Sequence, residues 1–164
     1  MKSIQIFFIL WGSLFFFSGC APKVYEKNES RLIVLKTPMI KYADLGYIRS
    51  SSDEVRADLF VVGQLVQSIE ISRLVCVHEG CLSKSAFNKD YLHPSYPDEL
   101  IVNVLLGRPI FKKASLQMTP KGFIQELISD EYNIVYKVED GDIIFNDKQN
   151  RLKIKILKVK DTSL

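Results

Sequence analysis

Residues 55–72, VRADLFVVGQLVQSIEIS, place Val55, Ala57, Leu59, Val61, Gly63, Leu65, Ile69 and Ile71 on one parity, with Arg56, Asp58, Gln64, Ser68 and Glu70 on the other. A two-residue period rich in β-branched side chains is what a strand with one buried face requires, and a slip of one residue would turn the whole apolar set to water. Helical spacing picks out Val55, Leu59, Val62, Val66 and Ile69 in the same stretch, so periodicity alone leaves a helix open. Gly63-Gln64 marks a bend or bulge between two strands. Upstream, MIKYADLGYIR reads as another strand, and RLVCV continues the sheet. Near the end, YNIVYKVEDGDIIFND predicts a hairpin around Asp140-Gly141, a pair suited to a type I′ turn. RLKIKI then sets Arg151, Lys153 and Lys155 against Leu152, Ile154 and Ile156, as in a half-buried strand. These cations are expected to keep an edge strand from pairing with other chains; contact with anionic lipid heads is the alternative. GFIQELIS fits either a strand or a short helix capped by Thr119 and Pro120.

The middle of the chain changes character. Ser83 can cap a helix through Tyr91, and Pro97-Asp98-Glu99 begins a second, because proline suits the first turn and acids suit the positive end of the helix dipole. LIVNVLLGRP leaves almost no polar face before Gly107 and Pro109 stop it, so this helix is expected to bury itself against the sheet. The expectation is therefore an α+β fold: a curved antiparallel sheet, a half-barrel, with two or three helices against one face.

The first twenty residues concern location. Lys2 precedes an apolar run from Ile4 to Phe17, broken only by Gln5, Gly12 and Ser13, and small Ser18-Gly19 follow. That is the build of an export signal, shorter than the roughly 20 apolar residues of a spanning helix. Phe17-Ser18-Gly19-Cys20 resembles the lipobox of bacterial lipoproteins, in which the cysteine is acylated and becomes the first mature residue. The resemblance implies a signal peptide over 1–19, lipid on Cys20, an acylated amino terminus with a flexible tether over 20–31, and one globular domain over 32–164. Two or three acyl chains would hold such a protein on a membrane, because each buried methylene contributes about 0.8 kcal/mol. Ala21, where an inner-membrane retention signal would place aspartate, points to the outer membrane with the domain facing the periplasm.

Removing residues 1–19 from 164 leaves 145, enough for one domain with its own core. The net charge of +3 is too slight to indicate nucleic acid. Two cysteines remain, Cys76 and Cys81. In an exported protein they most simply form a disulfide closing a short loop. The sharper alternative is a zinc set of Cys76, His78 and Cys81 with His93; a redox-active pair fits less well, since the spacing is not C-x-x-C. No nucleophile motif, zinc-protease motif or phosphate loop occurs, and no cofactor is implied. Asp44, Asp53, Glu54 and Asp58 read as solvated acids. The chain reads as non-enzymatic.

Three stretches carry a second resemblance: VRADLFVVGQLVQSIEI, the pair FNKDYL and ELIVNVLLGRPI, and YKVEDGDIIFNDKQNRLKIKI with its F-x-D-x-x-x-x-L-x-I-x-I cadence. Together they resemble the half-barrel of the periplasmic lipoprotein carrier LolA and its outer-membrane receptor LolB, as well as small Gram-negative lipoproteins of no assigned activity. The resemblance implies an apolar cavity for acyl chains of lipids or of other lipoproteins, lined by Leu59, Val61, Leu65, Ile69, Leu105 and Leu106. A non-catalytic scaffold of an envelope complex is the alternative, with YLHPSYP as its contact. The loop expected to project, Val77 to Gly80, is too polar to enter a membrane.

Overall fold

A computed structural model describes residues 23–52 and 54–159. On both sides of residues 83–115 the described chain alternates, and the sheet follows. Strands β1 (Lys27–Lys36), β2 (Lys41–Ser50), β3 (Val55–Val61), β4 (Gln64–Ile71), β5 (Val75–Val77) and β6 (Gly80–Leu82) form a first meander. Strands β7 (Leu116–Thr119), β8 (Gly122–Ile128), β9 (Asn133–Glu139), β10 (Asp142–Asp147) and β11 (Leu152–Lys158) form a second. β1 pairs antiparallel with β11, joining the two into one sheet of order β6-β5-β4-β3-β2-β1-β11-β10-β9-β8-β7. Between the meanders lie helices α1 (Lys84–Tyr91) and α2 (Leu100–Leu105) and a short turn, Phe111–Lys113.

The α+β expectation is corrected. Strand takes 53% of the described residues and helix 12%, so the fold is a large antiparallel sheet with two short helices rather than a half-barrel under two or three. The reason is local. Pro97-Asp98-Glu99 is spent in a turn before α2 begins, and Gly107, at φ +64°, ends it by sending the Arg108 amide back to the Asn103 carbonyl at 2.8 Å. GFIQELIS, left between strand and helix, is β8.

One face of the sheet carries the core. Ile33, Ala57, Ile71, Tyr136, Phe145 and Ile154 are all essentially buried on it. α2 packs against both β3 and β10, which are separated by β2, β1 and β11. Four strand spacings span about 19 Å, and a helix is about 10 Å across, so the sheet bends toward α2 and this face is concave. Residues 83–115 enter at edge strand β6, cross the concave face and leave at the opposite edge, β7. The core cluster is drawn from residues 33–156, so the stretch from Lys23 to Val159 supplies its own core. Among the described residues, no helix is long and apolar enough to cross a membrane.

Three further placements differ from the sequence reading. β1 begins at Lys27, which puts residues 27–31 in the sheet rather than in a tether. β11 lies between β1 and β10, so Lys153 and Lys155 guard no edge. The bend expected at Gly63-Gln64 forms one residue earlier, as the β3–β4 turn at Val62 and Gly63 (φ 50° and 77°), and a separate bulge sits between Leu59 and Phe60. The Asp140-Gly141 hairpin forms where expected, with both turn residues at positive φ. Ser83 caps α1 by accepting from the Ala86 amide at 3.1 Å. Cys76 and Cys81 face each other across β5 and β6 and are joined by a disulfide. Closing so short a loop stabilises by about 2 kcal/mol. Cys76→Ser with Cys81→Ser should therefore lower the thermal midpoint by several degrees in a calorimetric scan while leaving the sheet intact.

Candidate functional site

Besides a larger hollow of about 630 Å³ between β6 and α1, a concavity opens at the end of the domain where β1 begins. Its volume is about 210 Å³. Ile48, Leu105, Leu106, Val138, Ile143 and Ile156 give it aliphatic walls, while Lys27, Glu29 and Arg31 stand at the mouth. Alternation builds both parts. Glu29, Arg31 and Ile33 point to the concave face of β1 in register with Ile48, Gly46 and Asp44 of β2, so charge near the strand's start gives way to core further along. Arg31 is largely buried: its guanidinium donates to Glu29 and, at 3.1 Å, to the Gly141 carbonyl. Lys158 folds over Gly141 at the same rim. Gly107 lets the end of α2 approach the wall closely, since a Cβ there would lie 3.3 Å from Ile143 Cδ1.

Three polar clamps hold the crossing segment on the concave face. Asp147, fully buried, accepts from the Tyr96 hydroxyl, the Asn133 and Gln149 amides at 3.1 and 2.9 Å, and both the amide and side chain of Asn150. Burial alone would raise its pKa, but these donors outweigh it and hold the carboxyl below its ordinary value of 3.8. Burial, then the bond to Asp147, pushes the Tyr96 hydroxyl far up, so it stays a donor. Gln125, also fully buried, accepts from the Ile110 amide at 2.8 Å and donates to the Ile110 and Ala114 carbonyls. The backbone it grips is left-handed at Phe111, Lys112 and Lys113 (φ 46°, 52° and 69°). Tyr136 donates to the Arg108 carbonyl at 3.1 Å.

The residues expected to line one cavity are separated. Leu105 and Leu106 line the cleft. Leu59 and Ile69, 1% and 2% exposed, lie inside the packed core. Val61 and Leu65 stand at the opposite end, where the β3–β4 hairpin outruns the crossing segment and leaves them about half exposed. Cys20 lies outside the described residues, as do the signal peptide and Asp53. The disulfide takes both thiols that the alternative zinc set needs. His93 instead meets Ser95 Oγ at 2.7 Å and leans on the Tyr96 ring. Asp58, read as solvated, is buried between Arg49 and Arg56, each at 2.7 Å.

Sequence reasoning missed Lys27, Glu29 and Arg31, because they fall in the stretch read as a tether. It also missed the exposed apolar hairpin: Val62 is 94% exposed, with Val61, Leu65 and Val66 about half exposed. The turn-forming Val62-Gly63 pair was the available signal. No family model, no curated protein and no solved structure matches the chain.

Proposed function

We propose that the protein is an outer-membrane lipoprotein, held by acyl chains on Cys20, whose domain accepts an acyl chain of a lipid or of another lipoprotein. The observation that carries this reading is the cleft's composition: aliphatic walls below two cations and one carboxylate suit a hydrocarbon tail with an anionic head. A volume of about 210 Å³ is below the usual 300–1,000 Å³ of ligand sites, so the cleft takes the end of a chain. Transfer from one apolar surface to another is nearly balanced in free energy, and anchoring sets where delivery ends. The mouth lies beside Lys27, seven residues after Cys20 in the sequence.

A domain of residues 21–164 should bind a fluorescent fatty acid and carry copurified lipid in native mass spectrometry. Leu106→Glu places a carboxylate on the wall and should weaken uptake at least tenfold. Acyl chains on Cys20 in protein from the native membrane test the anchor separately. The filled concave face, with Leu59 and Ile69 fully packed, favours a second reading, a scaffold displayed by its lipid. Absence of fatty-acid uptake, with recovery of one stoichiometric partner from crosslinked cells, would select it.

A further inference from the structure

The convex face of the sheet carries an arrangement that neither folding nor the cleft explains. Register places Lys36 directly opposite Lys41 on one side and Lys153 on the other, and Lys155 follows two residues along β11. Like charges directly opposed on neighbouring strands destabilise a sheet. Among the described residues none of these four lysines has an ion pair, so no carboxylate relieves the opposition. Since β11 is an interior strand, edge protection does not account for them.

Beside the cations lies an apolar row. Leu157, Leu32 and Leu45 are direct cross-strand partners on the same face, and Leu32 and Leu45 are 39% and 50% exposed. Tyr47 continues the row, meeting Phe60 edge-on with ring centroids 5.7 Å apart. The β3–β4 hairpin with Val62 projects at the lysine end. The chain also leaves on this face: Lys23 bonds Glu70, whose side chain alternates with buried Ile69 and Ile71, and Cys20 is three residues further back.

We infer that this face is a second membrane contact, which lies flat on an anionic phospholipid surface with its lysines at the headgroups and its leucine row, Tyr47 and the Val62 hairpin at the acyl boundary. Opposed lysines need an anionic counterface, and exposed leucines beside them need an apolar layer at the same depth; a bilayer interface offers both. The described chain begins on this same face, at Lys23. This contact is independent of the cleft and stands or falls without it.

The domain of residues 21–164 should sediment with vesicles of mixed phosphatidylglycerol and phosphatidylcholine, less so as salt rises, and little with phosphatidylcholine alone. Replacing Lys36, Lys41 and Lys153 together by glutamine should lower the partition coefficient by about a hundredfold without lowering thermal stability. Amine labelling of the unaltered domain gives a readout free of folding effects: Lys36, Lys41 and Lys153 should be protected on the mixed vesicles, and Lys84 should not. Equal binding to both lipids, undiminished binding of the triple variant, or no protection would overturn the inference. So would retention by soluble polyglutamate without vesicle binding, which would mark the face as a site for an acidic protein.

Discussion

Asp147→Ala should destabilise the domain by about 3–5 kcal/mol, measured by denaturant unfolding, a large part of the 5–15 kcal/mol typical of a domain. The buried Tyr96 hydroxyl and the partly buried amides of Asn133, Gln149 and Asn150 all lose their acceptor. Unmet donors of this kind are the expensive outcome, far more so than the net worth of the bonds themselves. Because Tyr96 belongs to the crossing segment and Asp147 ends β10, the damage should centre on that segment: amide exchange over residues 93–106 should accelerate before the sheet opens. The carboxyl also sets an acid limit. Its folded pKa lies below its unfolded value, so its stabilising contribution is complete above the ordinary carboxylate range and is lost as pH falls through the folded pKa. Asp147→Asn should flatten that acid limb.

Gln125→Leu should cost about 2–4 kcal/mol by the same measurement. Leucine fills the volume yet leaves the Ile110 amide and the Ala114 carbonyl without partners, and the Ile110 carbonyl with only the Lys113 amide, at 2.9 Å. The segment it releases holds left-handed backbone at Phe111, Lys112 and Lys113, which L-residues adopt only when the surroundings compel them. Gln125→Glu separates the two contributions: it keeps the acceptor for Ile110 but loses the donor and buries a charge. It should destabilise at neutral pH and recover in part when acid protonates it. Loss at Gln125 should loosen the 108–115 end of the crossing segment, while loss at Asp147 loosens the 93–96 end.

The sheet was legible wherever alternation was long. Val55 to Ile71 and Leu152 to Ile156 display their buried parity openly, and Asp140-Gly141 declares its turn. The helix content was overestimated because ELIVNVLLGRPI is apolar all round, a composition that tells of burial and not of length; Pro97 and Gly107 left only six residues helical. Periodicity also says nothing about which strands become neighbours. The β1–β11 pairing joins residues more than 100 apart, and without it Lys153 looks like an edge guard and residues 27–31 like a tether. The cleft was half visible, through Leu105 and Leu106. Its charged mouth arises from the same long-range pairing and had no local mark. The lysine row appears only when three strands are set in register.

Photocrosslinking with a fatty acid that carries a diazirine at its methyl end tests the central claim most directly. In the domain of residues 21–164, crosslinks are predicted at Leu105, Leu106, Val138 and Ile143, and excess unlabelled fatty acid should suppress them. Labelling confined to the convex leucines and the Val62 hairpin, or no saturable labelling, would contradict an acyl site in the cleft.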